Sequence, residues 1–390
     1  MQGENEIVAV KKLRGGFAGV CFPAGGIHRN SRLLMTPASN TKLYTSWLAC
    51  RILGEDASFH SEYSVSDGTL YFRPRCNPLL DESRLSVMLE DLTERKIRGI
   101  VLETGYCSTA CYPRGWNVGD IGEKWGAPIS DVCFHENSVS ASFRKGENLP
   151  FRIVPSSTLH RFVLSGTSSE KRVGQNEVML PRGFHGRVDF AILSPENFLL
   201  RWLDSKLGKT KKPRTLRRGR LRGTPLKTAE CTMKEVLFRL NKNSSNIIAE
   251  LLLLHCAKSA GYAASTENGS ALLRKELAAV GIRDAFIYDG SGLSRGNLVS
   301  PASTVRLLTL ASEFESIVSS LPVGGVDGTL KKRKLSRSIR AKTGSLGGVQ
   351  TLSGYAGGEP FSIMVNHFPD EQGMEQSIKD WIDETAMSFV

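Results

Sequence analysis

The chain contains 390 residues, of which 40% are hydrophobic and 23% are charged. This composition is typical of a folded protein with a sizeable buried core, and it excludes a disordered, collagen-like or disulfide-dominated chain. The net charge of +12 permits an anionic partner, such as nucleic acid, acidic lipid or a wall polymer, but it does not require one.

The N-terminal segment predicts two strands followed by a helix. Alternating sequence indicates strands at Gly16–Phe22 and Arg32–Met35, and an apolar helical stripe predicts a helix that begins near Ala38 or Ser39 and continues to Leu53. The first twenty residues contain neither a long apolar segment nor a small-residue cleavage site, so we expect no export signal within them.

Residues 66–195 differ in character from the segments on either side. Short alternating runs separated by turn dipeptides predict strands, with one helix around Leu85–Arg95. We therefore expect a β-rich insert at 66–195, and one domain made of residues 1–65 and 196–390.

Helical patterns return after residue 195 and lead to a strand-rich end. Four amphipathic or apolar stretches lie at 198–207, 233–240, 246–261 and 270–281, followed by strands at 340–344, 349–356 and 361–368 and a closing helix. The predicted fold class is α+β, with helices flanking an antiparallel sheet made from both ends of the chain. The richest apolar run, Ile247–Ala257, contains Glu250 and is too short to span a bilayer, so we expect no transmembrane segment.

Two basic runs occur, at 206–222 and 331–340. Both are typical of exposed loops and strand edges. No aromatic residues interleave the first run, which argues against a stacking platform for single-stranded nucleic acid, so no nucleic-acid partner is expected. Attraction to another anionic polymer stays open.

Metal and redox chemistry find little support in the spacing of the candidate ligands. The seven histidines show no ligand pattern, and the eight cysteines form neither a zinc motif nor a dense disulfide framework. We expect most cysteines to be small core residues, with a pairing of Cys107 with Cys111 as the less favoured alternative. No metal and no cofactor are expected.

Two short motifs match nucleotide or hydrolase patterns only superficially. Gly208–Thr210 resembles the end of a phosphate-binding loop, but the first glycine of that motif is missing. Gly292–Gly296 fits Gly-x-Ser-x-Gly, but Asn297–Pro301 does not continue as the helix which that motif requires. We interpret the second as a glycine-rich turn.

Three Ser-x-x-Lys pairs occur, and their contexts differ. Ser142–Lys145 lies in a strand pattern and Ser168–Lys171 in a polar loop, whereas Ser39–Lys42 lies at the start of an apolar helix. Residues three apart share a helix face, so the Lys42 amine can reach the Ser39 hydroxyl. Burial would lower the pKa of the lysine and let the free amine take the serine proton, while the helix start offers N–H groups to an oxyanion.

Two further motifs follow in the order expected of one serine acyl-transfer machinery. Ser244–Asn246 is the only Ser-x-Asn of the sequence, and Lys342–Gly344 is its only Lys-Thr-Gly. The set Ser-x-x-Lys, Ser-x-Asn and Lys-Thr-Gly is typical of penicillin-binding proteins and class A β-lactamases.

Each residue of these motifs suits a step of acyl transfer. We expect Ser39 to be the nucleophile and Lys42 its base, with Ser244 and Lys342 controlling the proton on the leaving amine. The expected substrate-binding residues form a second set: Asn246 for an amide, Thr343 for a carboxylate, Gly344 for close approach of the strand, and the Ser345 N–H as an oxyanion donor.

With these motifs in place, the chain resembles the class C low-molecular-mass penicillin-binding proteins, the serine D-alanyl-D-alanine carboxypeptidases and endopeptidases of peptidase family S13. The similarity covers nearly the whole chain. The segments that carry it are TPASNTKLYT, NSSNIIAELLL, YDGSGLSRGNLVSP, VGGVDGTLKKR and RAKTGSLGG, together with NPLLDESRLSVMLEDLTERKIRGI, RGWNVGD and WGAPISDVCFHENSVS in the insert.

The resemblance implies a penicillin-binding and β-lactamase-like fold and an acyl-serine enzyme. Such an enzyme removes the terminal D-alanine from peptidoglycan stem peptides or cuts D-alanyl-meso-diaminopimelyl crosslinks, is acylated by β-lactam antibiotics, and works in the periplasm or elsewhere outside the membrane. The alternatives are a β-lactamase or esterase with the same machinery, and a non-catalytic basic protein that binds a wall polymer or another polyanion.

Two departures from the family pattern occur. Ser245 stands where the family usually has Asp, and Arg75–Pro78 stands where a Gly-Asp-Pro is typical. We expect the chemistry to survive the first change, because Ser244 and Asn246 are intact.

Overall fold

The computed structural model describes residues 15–108, 111–156, 161–165, 171–172, 177–208, 210, 212–369 and 371–390. The described residues form two compact units. The first unit contains those of Met1–Ala57, Pro113–Trp116 and Met233–Val390, and the second contains those of Ser58–Tyr112 and Asn117–Thr232.

Helices account for much of the first unit and for two elements of the second. The α-helices of the described residues are α1 (Thr41–Leu53), α2 (Ser86–Leu92), α3 (Pro195–Lys206), α4 (Met233–Asn243), α5 (Asn246–Ser259), α6 (Thr266–Ala279), α7 (Pro301–Ala311), α8 (Glu315–Ser320) and α9 (Met374–Met387).

The strands of the described residues are also numbered in chain order and belong to both units. They are β1 (Phe17–Phe22), β2 (Ile27–Arg29), β3 (Ser58–Ser66), β4 (Thr69–Arg73), β5 (Gly99–Leu102), β6 (Ser138–Phe143), β7 (Arg152–Val154), β8 (Arg161–Ser165), β9 (Lys171–Arg172), β10 (Glu177–Pro181), β11 (Gly186–Ala191), β12 (Thr215–Arg218), β13 (Leu226–Thr232), β14 (Ala285–Phe286), β15 (Leu298–Val299), β16 (Ile339–Leu346), β17 (Val349–Ala356) and β18 (Glu359–Asn366).

A five-stranded antiparallel sheet in the order β16, β17, β18, β1, β2 organises the first unit. The pairing of β1 with β18 joins both ends of the chain in one sheet, as predicted. On one face, Ile378, Trp381 and Ile382 of α9 pack into an apolar cluster with side chains of β1 and β18. Helix α7 contacts β1 and β18, α1 contacts α5 and α7, and the apolar stretch of α5 is buried. The predicted α+β class is thereby confirmed.

The predicted strand at Arg32–Met35 is wrong. The chain turns at Gly26, whose φ is 69°, and returns as β2, which pairs with β1 from Val20 opposite Arg29 to Phe22 opposite Ile27. In this hairpin β2 occupies the hydrogen-bonding edge of β1 that does not face β18. Residues 32–35 are a turn and irregular chain, and of these four residues only Met35 forms a β-bridge.

The second unit is β-rich and includes the described residues of 66–195 except Pro113–Trp116, which belong to the first unit. Its main sheet has the order β12, β5, β4, β3, β13, and two three-stranded sheets accompany it. The unit extends beyond the predicted insert at both ends, because β3 pairs with β13 and because Phe198, Trp202 and Leu203 of α3 pack into its core. Most described residues of the basic run 206–222 are exposed, and β12 lies at the sheet edge.

Two of the predicted motifs include residues outside the described part of the chain, whereas the predictions for the cysteines and for membrane-spanning helices can be compared with the structure. Lys209 of the apparent phosphate loop and Ser168 of the third Ser-x-x-Lys pair lie outside the described residues. The eight cysteines all lie among the described residues, six of them are buried, and no disulfide joins any two of them, Cys107 and Cys111 included. Among the helices that the structure describes, none combines the length and the hydropathy needed to cross a membrane.

Candidate active site

Ser39 lies in a short helical turn, Ala38–Asn40, that runs directly into α1. Ala38 has a φ of 48°, in the left-handed region that non-glycine residues seldom adopt unless their surroundings enforce it. Here the surroundings do so, because the Thr41 hydroxyl donates to the Ala38 carbonyl at 2.9 Å and the Asn40 amide donates to the Ser353 hydroxyl at 2.6 Å. The turn therefore holds the Ser39 hydroxyl at the start of a helix and half-buried.

Lys42 is completely buried one turn further along and contacts three acceptors. Its Nζ lies 2.8 Å from Ser39 Oγ, 2.7 Å from Asn246 Oδ1 and 2.6 Å from the Ser291 carbonyl. As an ammonium group, the side chain donates to all three oxygens. As a neutral amine, it donates to Asn246 and Ser291 and turns its lone pair to the Ser39 hydroxyl, which is the arrangement that a general base requires.

Burial lowers the pKa of Lys42 to about 7, although the nearby carboxylates Asp289 and Glu250 act in the opposite direction. Desolvation disfavours the charged ammonium form, and the two carboxylates compensate for only part of that cost. A substantial fraction of the Lys42 side chains is therefore neutral at physiological pH.

Glu250 positions the carbonyl that receives Lys42. Its fully buried carboxyl group accepts hydrogen bonds from the backbone N–H of Gly290 at 2.9 Å and of Ser291 at 2.9 Å. Burial, and then the charge of Asp289, raise the pKa of Glu250 to about 8. Glu250 belongs to no recognised motif, and the signal for its role is its position as the single acidic residue inside the apolar run Ile247–Ala257.

Asp289 organises the rest of the same turn. Its buried carboxylate accepts hydrogen bonds from the Gly292 N–H at 2.9 Å, the Ser294 N–H at 2.7 Å and the Trp116 indole N–H at 2.9 Å. The Gly-x-Ser-x-Gly segment is thus a glycine-rich turn, as expected; its first three residues are buried, and Ser294 has an exposed fraction of 2%. Sequence reasoning missed both Asp289 and Trp116 as parts of the site.

The second motif lies at the junction of α4 and α5. Ser244 has a φ of 58° and precedes Ser245, whose hydroxyl caps α5 by accepting the Ile248 N–H at 3.4 Å. Asn246 is the first residue of α5 and contacts Lys42. The unusual Ser245 therefore has a structural task as a helix cap, which serine performs as well as aspartate does.

Lys342 forms the second serine and lysine pair of the site. Its buried Nζ lies 2.8 Å from Ser244 Oγ and 2.9 Å from the Thr343 carbonyl. Burial and then the charge of Lys42 lower the pKa of Lys342. Because each ammonium group disfavours a proton on the other, the site holds one cationic lysine more readily than two.

The third motif lies on β16, the edge strand of the sheet, beside the Ser39 turn. A Cβ atom added to Gly344 would lie 2.7 Å from the Pro37 carbonyl oxygen and 3.0 Å from the Ser39 backbone nitrogen, so only glycine allows this approach. The Thr343 hydroxyl contacts the Thr329 hydroxyl at 2.9 Å, and Ser345 is exposed.

The structure thus brings all eight predicted residues to one region of the first unit. Hydrogen bonds connect Ser39, Lys42 and Asn246, and another connects Ser244 with Lys342, while Thr343, Gly344 and Ser345 follow on the strand next to Ser39. By contrast, Ser142 lies on β6 in the second unit. A serine beside a buried lysine, a second serine and lysine pair, and a closely apposed strand define a serine acyl-transfer site.

Comparison with known proteins gives the same class and specifies it. The model of the D-Ala-D-Ala carboxypeptidase 3 (S13) family matches residues 26–387, and the chain belongs to this family. It is similar to D-alanyl-D-alanine carboxypeptidase DacB of Haemophilus influenzae, with 26% identity over 84% of this chain and 78% of the relative.

Two solved structures show the same fold. The crystal structure of penicillin binding protein 4 (dacB) from Haemophilus influenzae has a TM-score of 0.80 and 22% identity, over 97% of this chain and 98% of that one. The penicillin G acylated predatory endopeptidase Bd3459 of Bdellovibrio bacteriovorus has a TM-score of 0.54 and 15% identity, over 96% and 93% of the two chains.

Proposed function

We propose that the chain is a serine-type D-Ala-D-Ala carboxypeptidase that acts on peptidoglycan stem peptides through an acyl-serine intermediate. The observation that carries this proposal is the 2.8 Å contact of Ser39 Oγ with the Nζ of the fully buried Lys42. The membership of the S13 family supports the substrate class.

Acylation begins with transfer of the Ser39 hydroxyl proton to neutral Lys42. The freed Oγ attacks the carbonyl carbon of the penultimate D-alanine, and the negative charge develops on the carbonyl oxygen. The backbone N–H groups of Ser39 and Ser345 are the donors for this oxygen, and Gly344 permits the close approach of the two segments.

Recognition of the peptide involves the same strand and the start of α5. The Thr343 hydroxyl binds the terminal carboxylate, and Lys342 beside it favours an anionic substrate end when it is protonated. Asn246 holds a substrate amide, and in the free enzyme its Oδ1 accepts Lys42, so this residue positions the base as well.

Collapse of the tetrahedral intermediate breaks the bond between the carbonyl carbon and the nitrogen of the last D-alanine. Ser244 donates a proton to that nitrogen, and Lys342, whose Nζ lies 2.8 Å away from Ser244 Oγ, restores the proton to Ser244. Free D-alanine leaves. At this point Lys42 holds the Ser39 proton and Lys342 has lost its own, and transfer of one proton from Lys42 to Lys342 restores both lysines. Water then attacks the ester and passes a proton to the neutral Lys42, which returns it to Ser39 Oγ as the ester bond breaks.

The reaction partners fix where such an enzyme works. Peptidoglycan stem peptides lie outside the cytoplasmic membrane, so we place the enzyme in the periplasm or an equivalent extracytoplasmic space. β-Lactam antibiotics are its covalent inhibitors, since they present a strained amide to the same serine.

The test combines intact-protein mass with product detection. Wild-type protein is incubated with a penicillin and, separately, with a pentapeptide that ends in D-Ala-D-Ala; Ser39→Ala is the inactive variant. Ser142→Ala is the matched control, because Ser142 also belongs to a Ser-x-x-Lys pair but lies on β6. We expect one penicilloyl adduct and D-alanine release in wild type and Ser142→Ala, and neither in Ser39→Ala.

The other outcomes separate the remaining hypotheses. Penicillin consumed without a lasting adduct indicates a β-lactamase, and release of monomers from crosslinked muropeptides without release of D-alanine indicates an endopeptidase. No adduct, with unchanged penicillin and salt-dependent retention on a polyanion column, overturns the enzyme and supports the non-catalytic polyanion-binding alternative.

A further inference from the structure

Three potential metal ligands meet in the second unit, although their sequence spacing predicts no metal site. Cys76 follows β4, Cys107 follows β5, and Asp131 precedes β6. The two sulfur atoms and one carboxylate oxygen all lie within 4.8 Å of one another, and Cys76 Sγ lies 3.8 Å from Asp131 Oδ1. We propose that Cys76, Cys107 and Asp131 form a binding site for a soft divalent metal ion, with Zn²⁺ as the best fit.

The spacing of the three atoms is close to what zinc requires. Tetrahedral zinc has bonds of about 2.3 Å to thiolate sulfur and about 2.0 Å to carboxylate oxygen, which places its ligand atoms roughly 3.5 to 4 Å apart. The distance from Cys76 Sγ to Asp131 Oδ1 already has this value, so shifts of side chains on the order of 1 Å complete the set.

The carboxylate is held in place by a second layer of hydrogen bonds. Asp131 Oδ1 accepts the Cys107 N–H at 2.8 Å, and Oδ2 accepts the Gly105 N–H at 2.5 Å. Each oxygen retains a second lone pair for a metal. Partners of this kind orient metal ligands and raise the affinity of a site.

The backbone conformation at Cys76 also directs this residue toward Asp131. Arg75 and Cys76 have φ values of 58° and 51°, both left-handed, and the Cys76 N–H donates to the Asp131 carbonyl at 2.9 Å. Such conformations persist only where neighbouring groups enforce them, and they often occur at ligand sites.

Burial and chemistry select the ion. Cys76 and Asp131 are buried, whereas Cys107 is partly exposed and leaves a route for the ion and for a water as fourth ligand. Two thiolates and one carboxylate favour Zn²⁺ over Mg²⁺ or Ca²⁺, which prefer oxygen ligands only. A bound ion would join three loops of the second unit, so its role is structural, and it does not depend on the proposed acyl transfer.

The experiment uses the full chain, reduced and treated with a chelator, then titrated with Co²⁺ as a spectroscopic probe and with Zn²⁺. Cys76→Ser and Cys107→Ser each remove one ligand, and Cys111→Ser is the matched control, since this exposed cysteine lies near Cys107 in sequence but outside the cluster. Far-ultraviolet circular dichroism reports in every variant that the chain is folded.

We expect one ion per wild-type chain, a thiolate-to-cobalt absorption band, and a higher thermal midpoint with Zn²⁺. Loss of a ligand should weaken binding at least about tenfold in Cys76→Ser and Cys107→Ser, and Cys111→Ser should bind as wild type does. If Cys76→Ser fails to fold, the partly exposed Cys107 still decides the question. Absence of the cobalt band in reduced wild type, or binding that is unchanged in Cys107→Ser, overturns the proposal. So does a native chain that lacks metal and carries a disulfide between Cys76 and Cys107, seen as a mass lower by two hydrogens.

Discussion

Acylation of Ser39 should accelerate as the pH rises through about 7, because Lys42 acts as a base only in its neutral form. Burial lowers the pKa of this lysine from its ordinary value to about 7. Protonation as the pH falls removes the acceptor for the serine proton, so activity is lost on the acid side and reaches a plateau on the alkaline side.

The size of the effect follows from the pKa. About 3% of Lys42 is neutral at pH 5.5 and about 90% at pH 8, so the second-order acylation rate constant should differ roughly 30-fold between these pH values. An ordinary lysine, exposed to water, would be almost fully protonated at both, and the rate would still be rising about tenfold per pH unit at pH 8.

The matched perturbation is Lys42→Arg, which keeps a donor-rich cation at the same place but cannot become neutral. Loss of general-base catalysis typically costs about 10²-fold to 10⁴-fold, and we expect a decrease in that range at every pH. Lys42→Arg should also lack the acid limb of the wild-type profile.

The assay measures the rate of labelling by a fluorescent penicillin from pH 5.5 to pH 9 at constant ionic strength. Far-ultraviolet circular dichroism at each pH controls for unfolding, and Ser39→Ala sets the background. A flat or falling wild-type profile between pH 5.5 and pH 8 would refute the assignment of Lys42 as the base, as would unimpaired labelling of Lys42→Arg.

Three further changes test the surroundings of the site. Glu250→Ala should reduce thermal stability and the acylation rate, because two buried N–H groups lose their acceptor at a cost of about 1 to 3 kcal/mol each. Glu250→Gln keeps an acceptor and should retain most of the stability and of the rate, so equal losses in the two variants would contradict this prediction. Gly344→Ala should slow penicillin labelling at least about tenfold, since the alanine Cβ would lie 3.0 Å from the Ser39 nitrogen. Labelling of this variant at the wild-type rate would contradict the prediction. Asp327→Asn should lower the free energy of unfolding by about 2 kcal/mol in a urea titration, because the buried Lys242 loses a carboxylate partner at 2.7 Å and the partial exposure of Asp327 reduces the effect. An unchanged urea midpoint would show that this ion pair does not stabilise the fold.

The local part of the site was predictable because it depends on short-range geometry. Ser39 and Lys42 are three residues apart at a helix start, so sequence spacing placed the amine beside the hydroxyl. The Lys-Thr-Gly strand and the α5 helix were likewise readable from periodicity of two and of 3.6 residues. The order of the three motifs then identified one acyl-transfer machinery and the family.

Such patterns could not show that Arg32–Met35 is not a strand, nor where the second unit begins and ends. The hairpin of β1 with β2 is decided by a left-handed turn at Gly26, and the second unit is longer because β3 and β13, far apart in sequence, pair with each other. Short apolar runs do not reveal which partner they will pair with, since pairing depends on the whole sheet.

The tertiary structure also decided the chemistry that distant residues share. Lys42 meets Asn246 across 204 positions and the Ser291 carbonyl across 249 positions, and only this packing excludes the water that would otherwise keep the lysine charged. The cluster of Cys76, Cys107 and Asp131 arises in the same way, from three loops with no common sequence motif. The sequence by itself determined which chemical groups are available and their order along the chain. Burial and long-range contacts decided the partners and the pKa values of these groups, because desolvation is a property of the folded interior and not of any short segment.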